Sequence, residues 1–157
     1  MGLLIKVYSD IIKSEEGKSF DFVSFAPIKR WEDRVKNIEK DTNYNGIQQI
    51  CFYYDHRTHN EFRNKLAKMI AAKEHWIRID DKTIPFAYLF DFSDKHGCFD
   101  WEISKILYKN FKDFKKKAKL YSKLYDDTLF LEHYNKWLAL LKIAKNKGVV
   151  VYSSNIK

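Results

Sequence analysis

The sequence predicts an α+β protein, predominantly helical, with about four or five helices packed against a small sheet formed by the terminal strands. Three observations carry that expectation. Apolar residues recur every three or four positions through most of the second half, as one face of a helix requires. Branched residues gather at the two ends, in MGLLIKVYSDII and VVVYSS, as strands prefer. Only five Gly and two Pro occur in 157 residues, too few for an all-β chain with many tight turns. Twelve Phe, ten Tyr and four Trp give such a chain a real core, and the length fits a single domain over 1–157.

The elements follow in order. MGLLIKVYSDII is the first strand, and EEGKSFDF a turn leading into extended chain. Pro27 suits the first turn of a helix over PIKRWEDRVKNIEKD, with Trp31, Val35 and Ile38 facing inward. Asn45-Gly46 signals a loop before a short strand, IQQICFYY. Residues 55–73 form a helix whose inner face is Phe62, Leu66, Met69 and Ile70, with Thr58 as N-cap and Glu61 completing a capping box. Pro85 to Phe90 is almost wholly apolar and fits a short buried helix. Ser93 to Gly97 has the composition of a turn, and Asp100 is placed to cap the helix that follows. The last helix covers residues 127–145, with Phe130, Tyr134, Trp137, Leu141 and Ala144 inside. Gly148 stands where a helix end favours left-handed geometry, and VVVYSS closes the chain beside the first strand.

The net charge of +8 is concentrated in one place. Residues 103–123 hold eight lysines and one acid, Asp113, a balance of +7; the remainder holds 21 basic and 20 acidic groups, a balance of +1. Ile103, Leu107, Phe111, Phe114, Ala118, Tyr121 and Tyr125 mark the inner face of a helix there. Lys105, Lys109, Lys112, Lys116, Lys119 and Lys123 repeat with the same spacing on the other side. A solvated helix back explains such a stripe, since lysine forms helix well and stays hydrated. Like charges one turn apart repel by a few tenths of a kcal/mol each, and no glutamates relieve them, which points instead to a surface for an acidic protein or for phosphates.

Chemistry-bearing motifs are sparse. An EF-hand count from Asp91 puts Lys95 on a ligand position and the glycine one residue late. Asp94, His96 and Cys98 alternate as ligands on an extended chain would, but tetrahedral zinc needs a fourth. His56 and His59 lie three apart, not in the HExxH pattern. No GxSxG, P-loop, GxGxxG or CxxC is present. A polar pocket is conceivable around His59, Asn60, Arg63, Ser93, Asp94 and His96, with Arg63 reaching the Asp94 carboxylate. Cys51 and Cys98 are far apart and fit reduced, partly buried thiols. The opening apolar run is too short for a signal or a membrane span, so a cytoplasmic protein without membrane association is expected.

Three stretches, THNEFRNKLA, FSDKHGCFDWEISKILYKNF and YNKWLALLKIAKNKGVVVYS, together resemble an uncharacterised bacterial protein family with an N-x-F/W-R-x-x-L-A helix and an F/H-S-D-x-x-G turn. The matching positions are Asn60, Phe62, Arg63, Leu66, Ala67, Ser93, Asp94, Gly97, Trp137, Ala144 and Gly148. The sequence departs from the pattern after Ser-Asp, where Lys95-His96 replaces the common Cys and acid, and in lacking a Ser-Gly run before the arginine helix. The resemblance implies the fold and a joint importance of Arg63 and Asp94; the family has no established activity, so it implies no reaction. The functional expectation is a non-enzymatic interaction module, immunity-like or regulatory, that uses the lysine stripe on an acidic protein and needs no cofactor. The alternatives are weak, non-specific nucleic-acid binding through the same stripe, or a ligand or enzymatic pocket at Arg63 and Asp94.

Overall fold

Branched and aromatic residues at alternate positions set the sheet. In a computed structural model, which describes residues 2–13, 37–38, 44–70, 83–90 and 96–155, the first strand β1 (Gly2–Lys13) sits inside a four-stranded antiparallel sheet. It is flanked by β2 (Tyr44–Asp55) and by the C-terminal strand β4 (Val149–Asn155), and β3 (His96–Phe99) pairs on the far side of β4, giving the order β2-β1-β4-β3. The chain ends are thus tied by a β1–β4 ladder running from Gly2 opposite Asn155 to Tyr8 opposite Val149.

Strand alternation sends side chains to two different cores. Leu3, Ile5, Val7, Tyr54, Phe99, Val150 and Tyr152 face the helices. Tyr8, Ile11, Tyr44, Cys98 and Val149 form a smaller cluster with Ile38. The β1–β2 register slips between Val7 and Tyr8 and again between Ser9 and Ile12, where Asp10 adopts φ 54°. Such a bulge adds local twist, and an Asp tolerates the left-handed region better than most residues.

Five helices are present among the described residues: α1 (His56–Met69), α2 (Ala87–Phe90), α3 (Trp101–Asp113), α4 (Lys115–Leu124) and α5 (Thr128–Ala144). The inner face of α5 is the expected one, with Phe130, Tyr134, Trp137, Leu141 and Ala144 all buried. Trp137 lies at the centre of an aromatic stack, 6.4 Å from Phe111, 6.3 Å from Phe52 and 5.8 Å from Tyr152 between ring centres. The four residues of α2 are wholly buried, as their composition demands. Just before them Phe86 holds φ 63°, its N–H donating to Asn110 Oδ1 at 3.0 Å and its ring against Phe111 at 4.8 Å.

Among the described residues the structure differs from the sequence expectation at several points. Asn45-Gly46 belongs to β2, where a Cβ on Gly46 would fall 2.4 Å from Ile11 Cδ1: the glycine permits close packing against β1 and does not make a turn. The cap of α1 is Asp55, which accepts from the Thr58 N–H at 2.7 Å and from its hydroxyl at 2.9 Å; a carboxylate outcompetes a hydroxyl at that position. These bonds hold the Asp55 carboxyl below its usual range. His96 and Gly97, expected in a turn, begin β3 and pair with Ser153 and Tyr152. The left-handed residue after α5 is Lys147, φ 52°, while Gly148 is required because a Cβ there would lie 2.6 Å from the Tyr8 carbonyl oxygen. Finally, the lysine-rich segment is two helices that meet at Phe114. Phe114 N–H closes α3 on Asn110 O and Ala118 N–H opens α4 on Phe114 O, and between them the Tyr134 hydroxyl donates to the Phe111 carbonyl and so competes with the next intrahelical donor. Of the expected helix from Pro27 only Asn37 and Ile38 are described; they are not helical there, and Ile38 is buried as expected, while the turn after the first strand and the Ser93-Asp94 corner lie outside the described residues.

Candidate functional site

The α3–α4 surface is built by a buried stripe that anchors it and a charged stripe that does not touch the core. Asp100 starts α3: fully buried, its carboxylate accepts from the Ile103 N–H at 3.0 Å and from the Asn37 N–H at 2.8 Å. Ile103, Leu107, Phe111 and Ala118 are fully buried, and Phe114 and Tyr121 pack partly against the core. Tyr125 departs from the expected stripe and is exposed. With that face fixed, Lys105, Lys109, Lys112, Lys116, Lys119 and Lys123 all project into solvent.

Among the described residues, Lys109 is the only one of the six with an acid in reach, its Nζ 2.5 Å from the Asp113 carboxylate. Three lysines, Lys115, Lys116 and Lys117, occupy the first turn of α4, which carries no acid and no side-chain cap. Cations there meet the positive end of the helix dipole. The local arrangement therefore gives little back to the helix that bears it.

Two of the aromatic groups beside the stripe are committed elsewhere. Tyr108 is partly buried with Lys145 Nζ 5.1 Å from its ring centre, and Tyr121 packs on Tyr125 at 4.6 Å and Phe130 at 4.9 Å. Neither stands free as a platform for a nucleobase.

The second candidate, the polar pocket, is a different kind of place. His59 is completely buried, its ring 5.9 Å from Tyr54, 6.0 Å from Trp137 and 5.7 Å from Tyr152. Arg63, one turn on, is also buried. It donates from Nη1 to the Leu89 carbonyl at 3.3 Å and from Nη2 to Asn60 Oδ1. His59, Asn60 and Arg63 therefore share the buried side of α1. Ser93 and Asp94 lie outside the described residues, and of His96 the structure describes the backbone alone. The extended chain that a zinc reading asks for does exist over His96–Phe99, but Cys98 is buried in the smaller cluster. No three His, Cys, Asp or Glu side chains converge among the described residues. Burial, followed by the Asp100 charge, pushes the Cys98 thiol well up. Both cysteines are free thiols; Cys51, expected partly buried, is exposed on β2.

Sequence reasoning passed over His133. It is buried on α5 with its ring 4.5 Å from Tyr54 and 6.0 Å from Phe62. The signal was present, because position 133 falls on the same helical face as Phe130 and Trp137. Burial first, then the charge of Lys136, lowers its pKa below the ordinary histidine value. Beside it Asp127 caps α5 through the Phe130 N–H at 3.0 Å and pairs with Lys65 at 2.6 Å. Burial alone would raise that carboxyl; the Lys65 and Phe130 hydrogen bonds and the Lys65 charge outweigh it and lower it. The depression these residues border, lined by Thr58, Glu61, Phe62, Lys65, Leu129, Phe130 and His133, has about 10 Å³ of internal volume. That is room for about one water molecule.

The chain matches no family model, no curated protein and no solved structure. No helix among the described residues is long and apolar enough to cross a membrane.

Proposed function

We propose that this protein is a non-enzymatic interaction module, immunity-like or regulatory, that engages an acidic protein through the α3–α4 lysine face. One observation supports the reading above the others: six solvent-exposed lysines follow one side of two consecutive helices, and only Lys109 is neutralised by an acid among the described residues. Unpaired like charges on a rigid surface raise the encounter rate with an oppositely charged partner and disfavour basic ones. The same lysines offer phosphate a landing strip, but residues 103–123 hold no arginine, and Tyr108 and Tyr121 are packed against neighbours while Tyr125 at the end of α4 is exposed, a balance that favours protein over nucleic acid.

The test is affinity capture at low salt with the wild-type chain beside the triple variant Lys109→Glu, Lys112→Glu, Lys116→Glu. An acidic protein retained by the wild type, lost from the variant and released by rising salt is expected. A captured set that is unchanged by the triple reversal overturns the reading. Titration of a single-stranded oligonucleotide against salt completes the comparison, since contact with several phosphates produces a steep slope of log affinity on log salt.

A further inference from the structure

Beside the lysine stripe runs a second row that charge alone does not explain. Ile106, Leu120 and Leu124 are apolar and exposed, Leu120 at 66% and Leu124 at 77% of their full area. Leu120 and Leu124 are one turn apart on α4, so they stand side by side on its outer surface. Lys116, one turn before Leu120, continues that ridge; Lys119 and Lys123 border it on one flank and Lys117 on the other. All four lysines are exposed.

A helix on the surface of a soluble protein normally turns such leucines inward. Here the inner face is already filled by Ala118 and Ser122, with Tyr121 against Phe130. A pair of bare leucines bordered by ammonium groups has the layout of one half of a helix pair, apolar seam in the middle and charged flanks outside. The flanking charge decides what the other half must be.

We propose that Leu120 and Leu124 form the apolar centre of the partner seat, and that the occupant is an acidic amphipathic helix of a protein partner. Its apolar side chains cover the two leucines and its carboxylates face Lys116, Lys117, Lys119 and Lys123. This rests on the reading of the lysine face as the binding surface and adds the shape of what it binds. The leucines set how long the complex lasts, while the lysines set how fast it forms and how salt weakens it.

The experiment uses two synthetic peptides of equal net charge, an amphipathic one with Leu every three or four positions among Glu and a correspondingly shorter plain oligoglutamate. Vesicles of mixed phosphatidylserine and phosphatidylcholine serve as a third probe. The full chain is compared with a Leu120→Ser, Leu124→Ser variant and with Lys116→Glu, Lys119→Glu, Lys123→Glu; all these positions are exposed, so both variants retain the fold. The expected result is at least tenfold tighter binding of the amphipathic peptide than of oligoglutamate. The serine variant loses that advantage and keeps its oligoglutamate binding, and the lysine variant loses both. Equal binding of the two peptides by the wild type overturns the helix seat and leaves the acidic-partner reading standing. Failure of both peptides to bind, or binding that survives the lysine reversal, overturns both. Binding to the vesicles in preference to the amphipathic peptide overturns the protein helix as occupant.

Discussion

The stripe on α5 and the stripe on α3–α4 have the same three-and-four spacing and opposite fates. On α5 the repeat is Phe130, Tyr134, Trp137, Leu141 and Ala144, and every member is buried. On α3–α4 it is a run of lysines, and every member is in water. Spacing defines a face, and the side chains on it choose the medium. The informative residues are those that go against that rule in each region. Around α5 they are polar groups inside, His59, Arg63 and His133; on α4 they are apolar groups outside, Leu120 and Leu124. The first set is held by neighbours already in the fold. The second is open to solvent.

If the contrast is right, the largest effect of any single substitution lies at Trp137. It is fully buried and touched by rings from β2, α1, α3 and β4. Replacing it with alanine leaves a cavity among residues that cannot collapse together, at a cost of about 3–5 kcal/mol. Lys119→Ala, on the exposed side of α4, stays within about 0.5 kcal/mol of wild type. Urea unfolding midpoints of the two variants make the comparison, and similar midpoints would mean that the two stripes do not differ as described.

How far the sequence could have led depends on the range of the interaction. The helical faces, the Asp100 cap and the pairing of the chain ends were legible because period and local capping chemistry set them. The four residues of β3 were not, since a short segment containing Gly97 is extended only because β4 offers it a ladder from His96–Ser153 to Phe99–Val150. The break at Phe114 was invisible for a similar reason, arising from a hydroxyl on Tyr134, twenty-three positions from the carbonyl it reaches. Gly46 and Gly148 looked like turn and cap glycines, and only the distances to Ile11 and Tyr8 reveal them as points of close approach. For the candidate site, the exposed lysines could be read from periodicity, while Leu120 and Leu124 were lost in a segment most of whose other apolar residues point inward.

A second, smaller effect sharpens the buried half of the contrast through pH. The groups interacting with His133 are Lys136, Glu132, Lys65 and Asp127, and burial is the largest influence on it, lowering its pKa in the folded state. Below the ordinary histidine value the unfolded chain takes up a proton that the folded chain resists. The neutral form's contribution is therefore complete above that value, and is lost as pH falls from it through the folded pKa. Melting temperature should decline from pH 7.5 to pH 5, and His133→Gln should decline less steeply. Equal slopes for the two proteins would place the pH response on other groups.

The smallest effect probes the cost of keeping α4 basic. Lys116 lies in the first turn of α4, with Lys112 four residues before it, Lys119 three after it and Asp113 three before it. Glutamate at 116 turns two repulsions into attractions and one attraction into a repulsion, and it places an acid at the favourable end of the helix dipole. Lys116→Glu should therefore leave stability unchanged or raise it by a few tenths of a kcal/mol, as read from urea unfolding. The Lys109–Asp113 pair is the matching control: both members are half or more exposed, so Lys109→Gln should lose no more than about 0.5 kcal/mol. A stable Lys116→Glu protein that no longer binds the acidic partner proposed above would separate folding from recognition at one residue. A loss greater than about 1 kcal/mol, beyond what an uncoupled surface position gives, would instead assign Lys116 a structural role and remove it from the interface.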